Sequence, residues 1–156
     1  MAAPTVYAVF QSKARILSLL VAAAGADEDI RAVARRAMAQ RDPRRRVNAG
    51  AHVIRLILDR EGDLTELLWQ AGSGEPALRE VWRQSNQQRL RRLTELFSPL
   101  AENGQLRAGV NLRAAVDIFW ALSSPEVYRL LVSERGWSSQ RYQRWLAAGG
   151  RDLLLL

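Results

Sequence analysis

The sequence predicts an all-α protein, and three observations predict it. Hairpin dipeptides and alternating apolar runs are nearly absent, caps and breakers punctuate the chain, and between them apolar residues recur at helical spacing. A chain of 156 residues with 48% hydrophobic content has the size of one domain and enough apolar material for a core. No internal repeat, low-complexity tract or long linker divides it.

Taken in order, Ser12 caps a helix to about Ala24, and Asp29 opens one to about Gln40. Asp42 with Pro43 at the first helical position opens another that ends near Gly62. Asp63 followed by Glu66 makes a capping-box-like start for a short helix to Gly72, and Gly72-Ser73-Gly74 is then a loop. Pro76 begins the longest segment, which stops at Asn103-Gly104 and should kink or break near Ser98, ahead of Pro99. Asn111 caps the next helix, Ser124 with Pro125 restarts after a short break, Gly136 closes that piece, and Ser138 caps the last helix. The expectation is about seven helices plus an N-terminal remnant.

The apolar stripes differ in character. Leu112, Ala115, Val116, Phe119 and Trp120 form one broad stripe, and Tyr142, Trp145, Leu146, Gly149 and Leu153 form another. Both serve either one monomer's core or a contact with a second copy. On the long helix the stripe of Leu78, Val81, Trp82, Leu90, Leu93, Phe97 and Leu100 is interrupted by Ser85, Asn86 and Arg89. Asn86 lies one turn from both Trp82 and Leu90, so it is either hydrogen-bonded between helices or a polar spot in a ligand cavity. Gly149 and Gly150 inside the last helix mean an early end or a close approach by another helix.

The formal net charge is +7 and Lys13 is the only lysine. That balance suits nucleic acid or another anionic partner, and coding bias toward arginine accounts for it equally well. The Arg44-Arg45-Arg46 run falls in a first helical turn, where the dipole disfavours cations, and reads as a solvated surface run. Asp117, on a mostly apolar helix, is expected to pair with an arginine.

The chain has no cysteine, which excludes disulfides and thiolate metal sites and fits a cytoplasmic address. The apolar run Ile16 to Ala24 is too short to span a bilayer and lacks the flanks of a secretory signal. No metal-ligand pair, phosphate-cradling glycine loop or nucleophile elbow is present, so the chain reads as a non-enzyme with no cofactor. The single histidine, His52, has Asn48, Arg55 and Asp59 at helical spacing and reads as a half-exposed surface residue.

Two segments resemble the TetR family of transcriptional regulators. Thr5-Val6-Tyr7-Ala8-Val9-Phe10-Gln11-Ser12-Lys13 is similar to the end of that family's helix-turn-helix, with Ile16 and Leu17 where its next helix carries leucine. The run Ala115 to Tyr128, then Glu134-Arg135-Gly136-Trp137-Ser138 and Tyr142 with Trp145-Leu146, looks like the regulatory domain of one TetR branch, and residues 29 to 105 agree only in helix pattern.

The resemblance implies a TetR-like regulatory helical bundle: a helix-turn-helix remnant over 1–24 and a ligand-binding and dimerisation domain over 25–156. It implies DNA contacts from Thr5, Tyr7 and Lys13, a type of contact that positions a protein on phosphates. It implies a homodimer through Phe119, Trp120, Tyr128, Tyr142, Trp145 and Leu146, several of which also serve the core. A cavity for a small apolar or amphipathic effector would draw on His52, Leu56, Trp69, Trp82, Asn86, Arg89 and Phe119, which gives His52 a second, inward-facing reading. The family has two helices ahead of the Thr5 segment, whereas this sequence starts at Met1, so operator binding is expected only if those helices are supplied. The leading expectation is a TetR-like transcriptional regulator, a repressor by analogy, reduced to its sensing and dimerising half. A dimerisation module that titrates intact regulators without a ligand is the alternative, and arginine-driven, non-specific nucleic-acid binding is a third.

Overall fold

The computed structural model describes residues 15–16, 19–20, 27–72 and 76–156, with the backbone alone over 61–72 and at 77. Helix α1 is Glu28–Met38, α2 is Pro43–Gly72, α3 is Pro76–Glu102 and α4 is Leu112–Leu122. Helix α5, Pro125–Tyr128, runs on into a π-helical turn at Arg129–Glu134, and α6 is Ser139–Leu154. Among the described residues there is no strand; the α3–α4 loop meets the C-terminal tail at one isolated antiparallel bridge, Leu106 to Leu155. No helix among them is long and apolar enough to cross a membrane.

Several helix boundaries follow the local chemistry. Asn111 accepts from the Ala114 N–H at 2.9 Å, Ser124 from Val127 at 3.2 Å and Ser138 from Arg141 at 3.2 Å, each satisfying an otherwise orphaned donor. Asp42 accepts from Arg45 ahead of α2, and Gly104 and Gly136 take positive φ where α3 and the π-helical turn end.

Three boundaries differ from expectation. Helix α1 starts two residues earlier than Asp29 suggests, because the Asp27 carboxylate accepts from both Asp29 and Ile30 N–H groups. Helix α2 passes through Gly62 and Asp63 without interruption. An interior glycine costs only about 1 kcal/mol, which a helix packed on its neighbours tolerates. Helix α3 likewise continues through Pro99 to Glu102, so the expected break near Ser98 does not occur. These two continuities leave fewer, longer helices than the seven the punctuation suggests.

Helix α2 is the axis of the fold, packing against α1, α3, α5 and α6, while α4 bridges α3 and α6. The core is built from Val47, Ala51 and Leu58 of α2, Leu93, Leu96, Phe97 and Leu100 of α3, Val116 and Phe119 of α4, and Tyr142, Leu146 and Leu154 of α6. Phe97 and Phe119 meet edge to face with centroids 5.2 Å apart. Such a pair adds about 0.5–1.5 kcal/mol to the burial of the two rings.

Two details of the stripes are corrected by the packing. Leu154, not Leu153, is buried in the last turn of α6, and Leu90 of α3 is exposed while Leu96 is buried. Helix α6 also does not end early at its glycines. A Cβ at Gly150 would lie 2.7 Å from the Phe119 ring and 2.8 Å from Val47, so the absent side chain is what lets α6 lie against α2 and α4. At Gly149, by contrast, a Cβ would meet only Leu122, at an ordinary 3.6 Å.

The arginine run is divided. Arg44 and Arg45 are exposed, but Arg46 is 5% exposed and its guanidinium is surrounded by carbonyls. Nε donates to Leu96 O at 2.6 Å, Nη2 to Glu95 O at 3.0 Å, and Nη1 to Met38 O and to Gln40 O. Met38 and Gln40 lie at the C-terminal end of α1, where carbonyls lack intrahelical partners and the dipole favours a cation. Asp117 is exposed rather than set among apolar groups, and its contact with Arg113 is a loose 3.9 Å.

Candidate functional site

Helices α1, α2 and α3 diverge around a cavity of about 540 Å³ that is partly open to solvent. That volume is in the range of small-molecule sites. Val53, Ile54, Ile57 and Leu58 of α2 give it an apolar wall, and α1 contributes Ile30, Ala34 and Met38 together with Arg31 and Arg35. The third wall, on α3, carries Trp82, Ser85, Asn86, Arg89, Leu93 and Leu96, which share one helical face by their spacing. The interruption of the apolar stripe is therefore the polar part of a cavity wall. Asn86 has no hydrogen-bond partner among the described residues, so the interhelical bond that was the other reading is not present there.

Arg89 is the strongest chemical feature of this wall. Its Nη2 donates to Trp120 O at 2.5 Å and to Ser123 Oγ at 2.9 Å, and its guanidinium lies 5.1 Å from the centroid of the Trp120 ring. Ser123 Oγ passes its own hydrogen to Phe119 O at 2.6 Å. Arg89 thus closes the C-terminus of α4, the end at which a cation is favoured. No carboxylate among the described residues lies within ion-pair distance of it; Glu126 acts only through space. Burial pulls the guanidinium down to about 10, well above neutral pH, so it keeps its charge.

Of the residues expected at a cavity, Trp82, Asn86 and Arg89 line it, while His52, Leu56 and Phe119 do not. Phe119 is wholly buried in the core, and Trp69 lies outside the residues whose side chains are described. His52 faces α6: its Nδ1 is 3.0 Å from Gln143 Oε1, which also accepts from Arg55 Nε at 2.7 Å. Arg55 pairs with Asp59, and Asp59 accepts the Tyr128 hydroxyl. This chain of polar contacts ties α2 to α5 and α6 on the side away from the cavity.

Sequence reasoning did not single out Ile30, Ile54 or Ile57, because helical periodicity gives an apolar face without saying whether the space opposite is filled. Among the residues expected at a dimer contact, Phe119, Tyr142 and Leu146 have no exposed surface and belong to the monomer's core. Trp120, Tyr128 and Trp145 are partly exposed. Thr5, Tyr7 and Lys13 lie outside the described residues. Among the described residues no group of three or more His, Cys, Asp or Glu side chains is placed to hold a metal ion.

Compared with protein-family models, with curated proteins and with solved structures, the chain finds no match.

Proposed function

We propose that this chain is the effector-sensing and dimerising body of a TetR-like transcriptional regulator. The observation that carries the reading is the cavity between α1, α2 and α3, with a polar strip on α3, an apolar wall on α2, and both apolar residues and arginines on α1. A pure dimerisation module needs no such space, and a filled core would have favoured it. The motif resemblance at the two ends of the chain supplies the regulatory class. Exposed arginines occur on α1, α2, α3, α4 and α6, so the charge is not confined to one element as a dedicated nucleic-acid surface would favour.

In this reading a ligand that binds one arrangement of the helices better than another shifts the population between them, and the dimer transmits the shift to the DNA-reading segments. Thr5, Tyr7 and Lys13 are the proposed DNA contacts. Trp120, Tyr128 and Trp145 are the members of the proposed dimer contact with surface still to bury.

Sedimentation equilibrium combined with calorimetric titration of decanol, a neutral amphipathic probe, tests the proposal. A dimer that binds decanol is the expected result. A dimer that binds no amphipathic probe, neutral or charged, transfers the conclusion to the titrating module, and a monomer that binds none overturns both.

A further inference from the structure

The cavity's polar wall is positively charged and incompletely satisfied. Capping α4 engages Nη2 of Arg89 alone; Nε and Nη1 have no hydrogen-bond partner among the described residues, and neither is sealed away from surface. Displacing water from such a donor without supplying an acceptor is costly, and a guanidinium has a strong geometric preference for carboxylate oxygens. Arg92, one turn on, and Arg31 and Arg35 of α1 also line the cavity, Arg35 being paired with Glu28, whereas Glu95 is the only acidic residue in its lining. Asn86, one turn before Arg89, offers both a donor and an acceptor.

We propose that the cavity takes a small amphiphile with a carboxylate head, held by Arg89 and assisted by Asn86, and an alkyl or similarly apolar tail lying against Ile30, Ile54 and Leu58. This deepens the sensing reading and rests on it. The apolar residues of α1 and α2 give the tail its burial, and the head replaces the water that otherwise solvates the free guanidinium donors. A neutral alcohol of the same length gains the burial but offers the guanidinium a single uncharged acceptor in place of a bidentate anion. A cationic one is repelled.

Calorimetric titrations with decanoate, decanol and decylammonium, kept below micelle-forming concentrations, test the assignment. Decanoate should bind at least about tenfold more tightly than decanol, with decylammonium weakest. In Arg89→Gln that preference should collapse, chiefly through loss of decanoate affinity, and Arg89→Lys should retain part of it. Circular dichroism establishes that each variant folds; if Arg89→Gln does not, the wild-type ratio and Arg89→Lys decide the matter. Decanol binding as tightly as decanoate overturns the head-group assignment while the cavity reading stands. A decanoate preference that persists in a folded Arg89→Gln variant also overturns it. If no probe binds, the assignment and the sensing reading fall together.

Discussion

Arg46 donates to the Glu95 carbonyl, the acceptor that Pro99 leaves without its usual partner. In an unbroken helix the N–H of residue 99 would bond to that oxygen, and proline has none. The proline ring also crowds this turn, and Arg46 Nε serves the neighbouring Leu96 carbonyl. The backbone hydrogen bond that α3 lacks at Pro99 is thus replaced from α2, and the same guanidinium closes the end of α1.

The first prediction isolates that coupling. Arg46→Met leaves several buried carbonyls unmatched and should destabilise the protein by about 2–4 kcal/mol in urea unfolding. Pro99→Ala returns an N–H to the Glu95 carbonyl, so the same Arg46 substitution should cost about 1 kcal/mol less in that background. Strict additivity in the double-mutant cycle would show that the two residues do not share the acceptor.

Two adjacent glycines should answer alanine with opposite signs. Gly150→Ala drives a methyl into Phe119 and Val47, and the overpacking cost of about 1–3 kcal/mol outweighs the gain in helix propensity. Gly149→Ala places its methyl at ordinary contact with Leu122 and should stabilise by up to about 1 kcal/mol. Thermal unfolding of the two variants side by side reads both signs; a stabilised Gly150→Ala would contradict the packing described.

The Tyr128 hydroxyl should make stability fall at high pH. Burial first, then its hydrogen bond to Asp59, raises its pKa above the ordinary phenol value near 10. Above that value the folded state holds the proton while the unfolded state releases it, so stability present below about pH 10 is lost as pH rises further. Tyr142, also raised by burial, adds to the loss, and Arg89, whose pKa is lowered, opposes it. Tyr128→Phe should therefore flatten the decline between pH 9 and 11 relative to wild type, measured by urea midpoints. An equal slope in the two proteins would remove Tyr128 from the account.

The cap of α1 should be separable from the core. Asp27 caps α1 through two backbone N–H groups and pairs with Arg60 of α2. Asp27→Ala should cost about 1 kcal/mol and raise amide exchange over α1 while leaving α4 and α6 protected. Exchange rising equally in all helices would mean that α1 has no separate stability.

The readable parts of the sequence were those fixed within a few residues. Asn111, Ser124 and Ser138 announce their helices because a cap's donor and acceptor lie in one turn, and the Ser85, Asn86 and Arg89 interruption marks the polar wall because one helix face carries it. Asp27 escaped notice beside an equally plausible Asp29, and Gly62 and Pro99 suggested breaks because propensity measures an isolated helix. His52, Leu56 and Phe119 were plausible cavity residues by type and period, but the side of each helix that faces empty space is set by its neighbours.

Sequence alone determined the helical class, the caps, the +7 charge and the polar gap in the α3 stripe, all of which follow from composition and local spacing. Tertiary structure decided that Arg46 is buried rather than solvated, that Gly150 rather than Gly149 is the contact glycine, and that Phe119 and Tyr142 fill the core rather than await a partner. It also decided that α1, α2 and α3 enclose a space with Arg89 at its wall. Those outcomes depend on groups distant in the chain meeting at van der Waals and hydrogen-bond range, where a shift of one residue around a helix changes which side chain is enclosed.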